Sequence, residues 1–461
     1  MEHDNCADAV IVGAGLTGLS TAYYLKKKGL DVLVIEKGQR PGGVIQTFRQ
    51  DGFVYEAGPN TGVLSHPEAA ELFEDLDGDC RLEIANPEAK RRLIWKSGGW
   101  HALPGGPVSA LKTPLFSFRD KFGILCEPFR AKGKDPLETV GDMVVRRLGR
   151  SYLDYAVDPF ISGIYAGDPS RLVTKYALPK LYALEQNYGS FIRGAIRKRS
   201  EPKDERIRKA SREVFSAEGG LGSLIGALVV QLGAERIWTG VSDASVARAG
   251  DQFEVTVQVD GAARKIRTPR VISTIDAAGL PELFPFIDKA SFSGILTLEY
   301  SAVVQAIAGF KLWKGMKLNA FGGLVPSKEK RDILGVLFTS SFLKNRAPAG
   351  GALLSVFLGG YRRPELTRLT DMEIRELVFR EISETLEVED PDPELFRIFR
   401  YPRAIPQYGV SSPKRLEAIQ DIEEQYPGLY LAGAVRDGIG MADRIRQARL
   451  TATEVAASRQ T

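Results

Sequence analysis

Four apolar residues in a row, Ala9-Val10-Ile11-Val12, run directly into a group of glycines. A run of that length bounded by glycine reads as a strand buried on both faces. Across 16–28, Leu16, Leu19, Ala22 and Tyr23 recur at helical spacing, and Lys26, Lys27 and Lys28 close the segment, where cations suit the helix dipole. Gly29 stops that helix, and Val32-Leu33-Val34-Ile35 is a second buried strand. The pattern therefore predicts strand, glycine turn, helix, strand over 8–36. Residues 107–210 read as mostly helical, with basic side chains interleaved with Phe and Leu, as across 111–130. Strand signals return over 214–275, where 253–259 alternates with period two and Val271-Ile272-Ser273-Thr274 follows. Further strand-like runs are 333–338 and 353–358, and 371–387 reads as an amphipathic helix. Residues 429–457 give a strand, a glycine-rich turn and a helix. There is no internal repeat and no low-complexity linker. Ligand-type glycine turns near both ends predict a domain assembled from distant segments.

Length and charge add limits. A chain of 461 residues is too long for one core and predicts two or three domains. Apolar content of 44% with 26% charged residues is that of a globular protein. Residues 1–8 are acidic and polar, unlike a secretory signal, and no apolar run reaches the roughly 20 residues of a membrane-spanning helix. Cys6, Cys80 and Cys126 are scattered, which fits a reducing compartment. His3, His66 and His101 form no metal-ligand spacing, GxSxG is absent, and no metal site is expected. The net charge of +4 gives no reason to expect nucleic acid as a partner. It is concentrated, however. Residues 193–212 hold nine Lys/Arg against three Asp/Glu, a local +6, so the rest of the chain is close to neutral.

The chemistry begins at Gly13-Ala14-Gly15-Leu16-Thr17-Gly18. The first glycine permits the turn, the second lets backbone approach a pyrophosphate, and the third lets the helix lie close to the sheet. Unpaired N–H groups at the helix start then face the phosphates. Glu36 closes the second strand 18 residues after Gly18, placed to accept hydrogen bonds from ribose hydroxyls. Strand, glycines, helix, strand and acid together predict a bound dinucleotide.

The residues that follow carry a resemblance. Glu36-Lys37 leads into Arg40-Pro41-Gly42-Gly43, a pattern similar to the extended fingerprint of amine-oxidase-type FAD flavoproteins. Gly58-Pro59-Asn60 resembles the next flavin-proximal segment. Gly433 and the turn through Gly438, Ile439 and Met441 resemble the last FAD motif. Other stretches resemble the oxygen-dependent protoporphyrinogen oxidase family over nearly the whole chain. They are KRRLIWKSGGWHALP over 90–104, ISGIYAGD from Ile161, GGLGSL over 219–224, FGGLVP over 321–326, Leu334-Gly335, and Ile405-Pro406-Gln407-Tyr408.

That resemblance implies an α/β plus α+β architecture in three parts. A Rossmann-type FAD-binding domain would be built from 1–88, 212–285 and 410–461. A mixed-sheet substrate domain would take 89–106 and 286–409, and a helical membrane-associating domain 107–211. It implies an FAD-dependent oxidoreductase acting on CH–CH groups with oxygen as acceptor. Protoporphyrinogen IX would become protoporphyrin IX in haem and porphyrin biosynthesis: six electrons leave in three hydride transfers to the flavin, and oxygen is reduced to hydrogen peroxide. Arg92 matches the arginine on a substrate propionate, and Gly163 the glycine whose carbonyl lies against the macrocycle. Phe321, Leu324, Leu337 and Phe357 match the positions that clamp the pyrrole rings, and Val241 the backbone contact on the adenine side. Taken without the family, those four apolar residues would read as strand core, Arg92 as a surface arginine and Gly163 as a turn. No side chain is assigned as acid or base.

Two departures stand out. Family members often end the last motif in Asn-Asp-Cys-Ile, where this chain has Ala442-Asp443-Arg444-Ile445. The turn before it, Arg436-Asp437-Gly438, is also more charged. The basic helical stretch fits an anionic membrane surface, which with the family implies a cytoplasmic protein, peripheral on the inner face of the cell membrane; a homodimer is compatible with it. The nearest rival is coproporphyrinogen III oxidation, whose four substrate carboxylates ask for more cations, and Lys90, Arg91 and Arg92 lie together. An amine oxidase or carotenoid desaturase would share the fold, and a non-catalytic flavin or porphyrin binder is the third alternative.

Overall fold

The computed structural model describes residues 5–202 and 204–458; His3 and the outermost ends of the predicted domains lie outside them. The first predicted unit forms as read. Strands Ala9–Val12 and Val32–Ile35 flank the helix Leu16–Lys27, and Gly29, at φ 83°, ends it in a conformation glycine adopts freely. A five-stranded parallel sheet runs in the order Ile237–Trp238, Val32–Ile35, Ala9–Val12, Val271–Ser273, Leu429–Leu431. Its middle comes from strands more than two hundred residues apart in sequence.

Alternation within the apolar runs decides which layer each residue meets. Ala9, Ile11, Val32 and Val34 face a core made with helices Leu16–Lys27, Gly222–Leu232 and Met441–Ala457. Val10, Val12, Leu33 and Ile35 face the other core, under the antiparallel strands Ser242–Ala249, Gln252–Val259 and Ala262–Thr268. Both faces are covered, which is why the strands read as unbroken apolar runs. Helix Gly222–Leu232 lies in the stretch read as returning to strands. Its sequence, GSLIGALVVQL, is apolar almost all round and β-branched, so its period does not separate helix from strand.

A second, seven-stranded sheet runs Leu395–Gln407, Glu299–Phe310, Ala352–Gly359, Gly335–Leu337, Gly322–Leu324, Arg92–Lys96, Gly99–Ala102. The expected strand at 333–338 is only Gly335–Leu337, because Ile333 and Leu334 belong to the loop that enters it. Helix Asp371–Leu386 starts at a Thr370–Glu373 capping box and closes one face of this sheet with Ile374, Leu377, Val378 and Ile382. On the opposite face Ile307 and Leu353 pack with Phe53 and Tyr55, and Ile94 and Leu324 with the helical stretch.

Between the two sheets in sequence lies a run of short helices from Pro107–Lys112 to Glu205–Arg208. Its core gathers Leu115, Phe116, Val140, Val144, Tyr152 and Ile161. Fully buried Arg147 lies 3.2 Å from Glu127 and also pairs with Glu185, and Arg146 bridges Glu185 to Glu138 at 2.8 and 2.6 Å. Part of the basic character of this stretch is therefore internal. Likewise Arg206 pairs with Glu68 and Glu71, and Lys209 with Glu74, all on helix Pro67–Asp75. The +6 counted along the sequence is partly neutralised in space. Among the described residues, no helix is long and apolar enough to cross a membrane.

Candidate active site

The glycine turn is shaped as a cradle. Gly13 sits at φ 105° and donates its N–H to Ile35 O at 2.8 Å. A Cβ on Gly18 would lie 1.9 Å from Gly13 O, so only glycine allows the helix this close, whereas a Cβ on Gly15 would meet nothing within 4 Å. The open side at Gly15 and the helix start without a side-chain cap leave Leu16, Thr17 and Gly18 N–H groups available to an anion. Glu36 bridges the next turn: its carboxylate accepts from Ala14 N and Gly38 N, both at 2.7 Å. Its carbonyl accepts from Val241 N at 3.0 Å, which ties Val241 to this turn beside the exposed Lys37.

The Arg40 guanidinium donates to Gly43 O, Ile45 O and Pro41 O at 3.1, 3.1 and 3.2 Å. It moulds the loop, which brings Gly43 against Gly15 and ties Gly42 N to Ala14 O at 2.7 Å. The last motif arrives from the other side. Gly433, at φ 82°, fits so closely that a Cβ would lie 2.9 Å from Thr274 O, while the Thr274 hydroxyl donates to Gly13 O at 3.1 Å. Thr274 thus joins the first and last glycine turns. Tyr408 Oη donates to Gly438 O at 2.9 Å, Ile439 packs into the helical core, and buried Met441 opens the final helix. The charged departures are accounted for locally. Arg444 donates to Asp437 O at 2.8 Å, Gln447 holds the Asp437 carboxylate, and Arg436 pairs with Glu423.

The substrate candidates meet on the face of the seven-stranded sheet opposite helix Asp371–Leu386. Arg92, Gly322, Leu337, Ser355 and Ile307 are successive cross-strand partners; so are Ile94, Leu324, Gly335, Phe357 and Gln305. Direct partners share a face, so Arg92, Leu324, Leu337 and Phe357 line one wall. Phe321 precedes its strand and escapes the alternation. It stacks on Phe342 with ring centroids 4.1 Å apart, packs with Leu337, and carries the Arg92 guanidinium 5.9 Å above its ring. Among the described residues, no carboxylate lies within ion-pair distance of exposed Arg92. Arg91 points away and donates to Asn319 O at 3.1 Å. Gly163 lies on helix Asp158–Tyr165, entered through a π-helical turn at Leu153–Val157. A Cβ on Gly163 would lie 2.4 Å from Leu324 Cδ2, so the helix backbone packs directly on the wall and a larger residue would have to displace that leucine methyl.

Two polar residues of the same wall were not singled out in the sequence. Gln305 accepts from Gly58 N at 2.9 Å and donates to Glu56 O at 3.1 Å; Ser355 donates to Asn60 Oδ1 at 2.9 Å. They fasten the segment around Gly58, Pro59 and Asn60 to the sheet. Their signal was present, as single polar residues inside otherwise apolar strands. Tyr401 and Tyr408 were also missed as site residues. Burial raises the Tyr401 phenol to about 12, against the Gly58 N–H and the Arg40 charge, and burial raises Tyr408 to about 12 as well. Both stay protonated at neutral pH. One histidine is paired: His66 Nε2 lies 3.0 Å from Asp443 Oδ1. Burial opposes the Asp443 charge, yet His66 and the Gly440 N–H outweigh it and hold that carboxyl below its ordinary range.

Residues 16–456 match the family described as flavin containing amine oxidoreductase. Protoporphyrinogen oxidase, mitochondrial, of Nicotiana tabacum is 30% identical over 95% of this chain and 93% of its own length. The chain belongs to the flavin containing amine oxidoreductases, in the protoporphyrinogen oxidase family. Coproporphyrinogen III oxidase of Bacillus subtilis strain 168 is 24% identical, with 98% of each chain covered. A solved structure from Exiguobacterium sp. 255-15, provisionally named a protoporphyrinogen oxidase, superposes with a TM-score of 0.81 over 99% of this chain and all of the other, at 23% identity. That likeness shows the fold. Reduced UDP-galactopyranose mutase shares it at a TM-score of 0.72 and 17% identity, over 98% of this chain and 95% of the other. The protein is an FAD-dependent oxidoreductase, and the cradle fits that cofactor.

Proposed function

We propose that this chain oxidises a porphyrinogen to its porphyrin, with protoporphyrinogen IX as the substrate and molecular oxygen as the final acceptor. The observation that carries this reading is the wall itself: Leu324, Leu337 and Phe357 on one sheet face, an unpaired Arg92 at its rim, and Gln305 and Ser355 tying that face to the flavin-proximal loop. A porphyrinogen is a large apolar ring with carboxylates at its edge, which asks for apolar walls and a cation at one side. FAD, when bound, supplies a two-electron acceptor. The chain supplies binding and dryness. Leu324, Leu337 and Phe357 exclude water, Phe321 and Arg92 hold one carboxylate edge, and Gly163 lets its helix close over the ring. Tyr401 and Tyr408 remain neutral and add no charge beside the substrate.

Coproporphyrinogen III is the second reading, favoured by the Bacillus subtilis relative. The side chains speak for the first, since Arg92 stands on the wall while Arg91 is committed to Asn319 O. The test is turnover of both porphyrinogens, followed by porphyrin fluorescence and peroxide release with and without oxygen. We expect oxygen-dependent turnover with higher kcat/KM for protoporphyrinogen IX. The reverse order would transfer the assignment to coproporphyrinogen III, and no turnover of either would overturn both.

The same reading makes 1–88, 212–285 and 410–461 the FAD-binding part, 89–106 and 286–409 the substrate part, and 107–211 a helical part that rests on an anionic membrane surface at the cytoplasmic face. Support for the last lies in exposed apolar side chains at Val108, Leu111, Phe118, Phe122, Leu125 and Phe129; Phe118 is 76% and Phe129 82% exposed.

A further inference from the structure

A cavity of about 650 Å³ opens where the edge of the seven-stranded sheet meets the first helices of the helical stretch. Four lysines line it: Lys96 from strand Arg92–Lys96, Lys112 and Lys121 from helices Pro107–Lys112 and Phe118–Gly123, and Lys328 from the loop after Gly322–Leu324. Two are held in place by backbone. Lys96 Nζ donates to Pro114 O and Leu115 O at 2.7 and 3.1 Å; Lys121 Nζ donates to Leu111 O and Thr113 O at 2.8 and 2.6 Å. Each ammonium has three N–H donors, so each keeps one to offer. Lys96 and Lys328 also converge on one ring, 4.2 and 5.6 Å from the Tyr155 centroid.

The acids around the cavity are already engaged. Asp154 pairs with Lys328 at 2.9 Å. Glu329 accepts from Tyr155 Oη and Ser97 N, both at 2.9 Å, and Asp120 accepts from Ser151 N at 2.8 Å. Among the described residues, no carboxylate lies within ion-pair distance of Lys96, Lys112 or Lys121. Burial and the neighbouring Lys328 and Lys121 charges lower the Lys96 pKa against the pull of Glu329. An anion in the cavity would relieve that repulsion.

The cavity does not stand alone. Leu111 and Phe118 form part of its lining and are themselves exposed, and Lys121 Nζ lies 5.2 Å from the Phe118 ring centroid. Exposed Phe122, Leu125 and Phe129 continue the apolar strip, and the Arg193 guanidinium covers Phe129 at 5.5 Å, which brings in the basic helix Phe191–Ser200. A soluble phosphate would need the cations but not an apolar rim. A lipid needs both, with acyl chains against the rings and a charged head in the lysine cavity.

We propose that the cavity bounded by Lys96, Lys112, Lys121 and Lys328 receives the phosphodiester of an anionic phospholipid while Phe118, Phe122 and Phe129 enter the acyl region. This rests on the membrane reading given above and adds a specific headgroup site to it. The residues belong to no part of the flavin cradle or the substrate wall.

The experiment is flotation of the FAD-loaded protein with phosphatidylglycerol/phosphatidylcholine vesicles at physiological ionic strength. Four proteins are compared: wild type, Lys112→Ala/Lys328→Ala, Arg197→Ala/Lys198→Ala as an equal charge loss outside the cavity, and Phe118→Ser/Phe122→Ser/Phe129→Ser. Among the substituted side chains only Lys328 has an ion-pair partner, Asp154, and flavin absorbance and thermal midpoint check that each variant is folded. The cavity variant should lose about 100-fold in vesicle affinity, as for two charge-assisted contacts at the low end of their range. The Arg197/Lys198 control should lose only a few-fold, because its charges act through screened attraction. The phenylalanine variant should lose binding to every vesicle. Equal losses in the cavity variant and the control would overturn the headgroup site and leave membrane association standing. No binding by wild type would overturn both. Stabilisation by inorganic phosphate that depends on Lys112, without vesicle binding, would overturn the lipid as its source.

Discussion

Arg92 carries the most direct residue-scale test. It is exposed, stands above the Phe321 ring, and faces the wall with no carboxylate partner among the described residues. A charge-assisted contact contributes roughly 1.5–3 kcal/mol, which is about 10–100-fold in affinity. Arg92→Ala is therefore expected to raise KM for the porphyrinogen by that factor with kcat and FAD content unchanged. Steady-state kinetics read by porphyrin fluorescence check it; loss of kcat at saturating substrate with FAD retained would assign Arg92 a different part. Arg92→Lys should recover only some of the affinity, since a point charge does not reproduce a planar two-pronged contact. The departures in the last motif have a plainer meaning. Arg444, Asp437, Gln447 and Arg436 with Glu423 satisfy one another within the turn, so their charge is spent on its shape.

At the scale of elements, the helical stretch depends on a charge cluster no hydrophobic period reveals. Arg147 is fully buried with Glu127 and Glu185, and Glu127 also accepts from the N–H groups of Phe191 and Ile192 at 2.9 and 3.2 Å. The arginine thus joins three helical segments. Removing one partner of a buried pair typically costs about 3–5 kcal/mol, because the other charge remains in a dry site. Arg147→Ala is expected to lower stability by that amount in urea denaturation followed by circular dichroism. A change under 1 kcal/mol would mean that water reaches the carboxylates in solution. The Asp158 carboxylate acts between elements in the same way: it accepts from Ser327 N at 2.8 Å and pairs with Arg362, which pins the Gly163 helix to the sheet.

Across the whole molecule, the cradle is the place where distant segments meet. Gly13 and Gly18, Gly42 and Gly43, Val241, Thr274 and Gly433 come from five separate stretches. A cofactor bound there stabilises all of them together, because it binds the folded chain and not the unfolded one. Removal of FAD is expected to lower the thermal midpoint. Return of free FAD to 100 times its dissociation constant should restore about 2.7 kcal/mol, as measured by calorimetry. An unchanged midpoint after FAD removal would show that the segments hold together without the cofactor. Gln305 and Ser355 fasten one face of the seven-stranded sheet to the loop at Gly58–Asn60, through links between residues 247 and 295 positions apart in sequence.

The sequence alone determined what depends on neighbours along the chain. The glycine spacing in 13–18, the acid at Glu36, the buried strands and the start of helix 371–387 all rest on local periodicity and backbone freedom, which act within a few residues. The apolar candidates Leu324, Leu337 and Phe357 were named from motifs, but their common face is a matter of register between strands, which no single segment contains. Helix Gly222–Leu232 was hidden because a helix apolar all round has no polar side to set its period. Arg40 and the basic run 193–212 show the other limit: charge is counted along the sequence, but its effect is set by what lies beside it. Loop carbonyls occupy Arg40, and acids of helix Pro67–Asp75 answer Arg206 and Lys209. The tertiary structure decided those pairings because electrostatic and packing partners are chosen by distance in space, and the chain brings residues hundreds of positions apart to within hydrogen-bond reach.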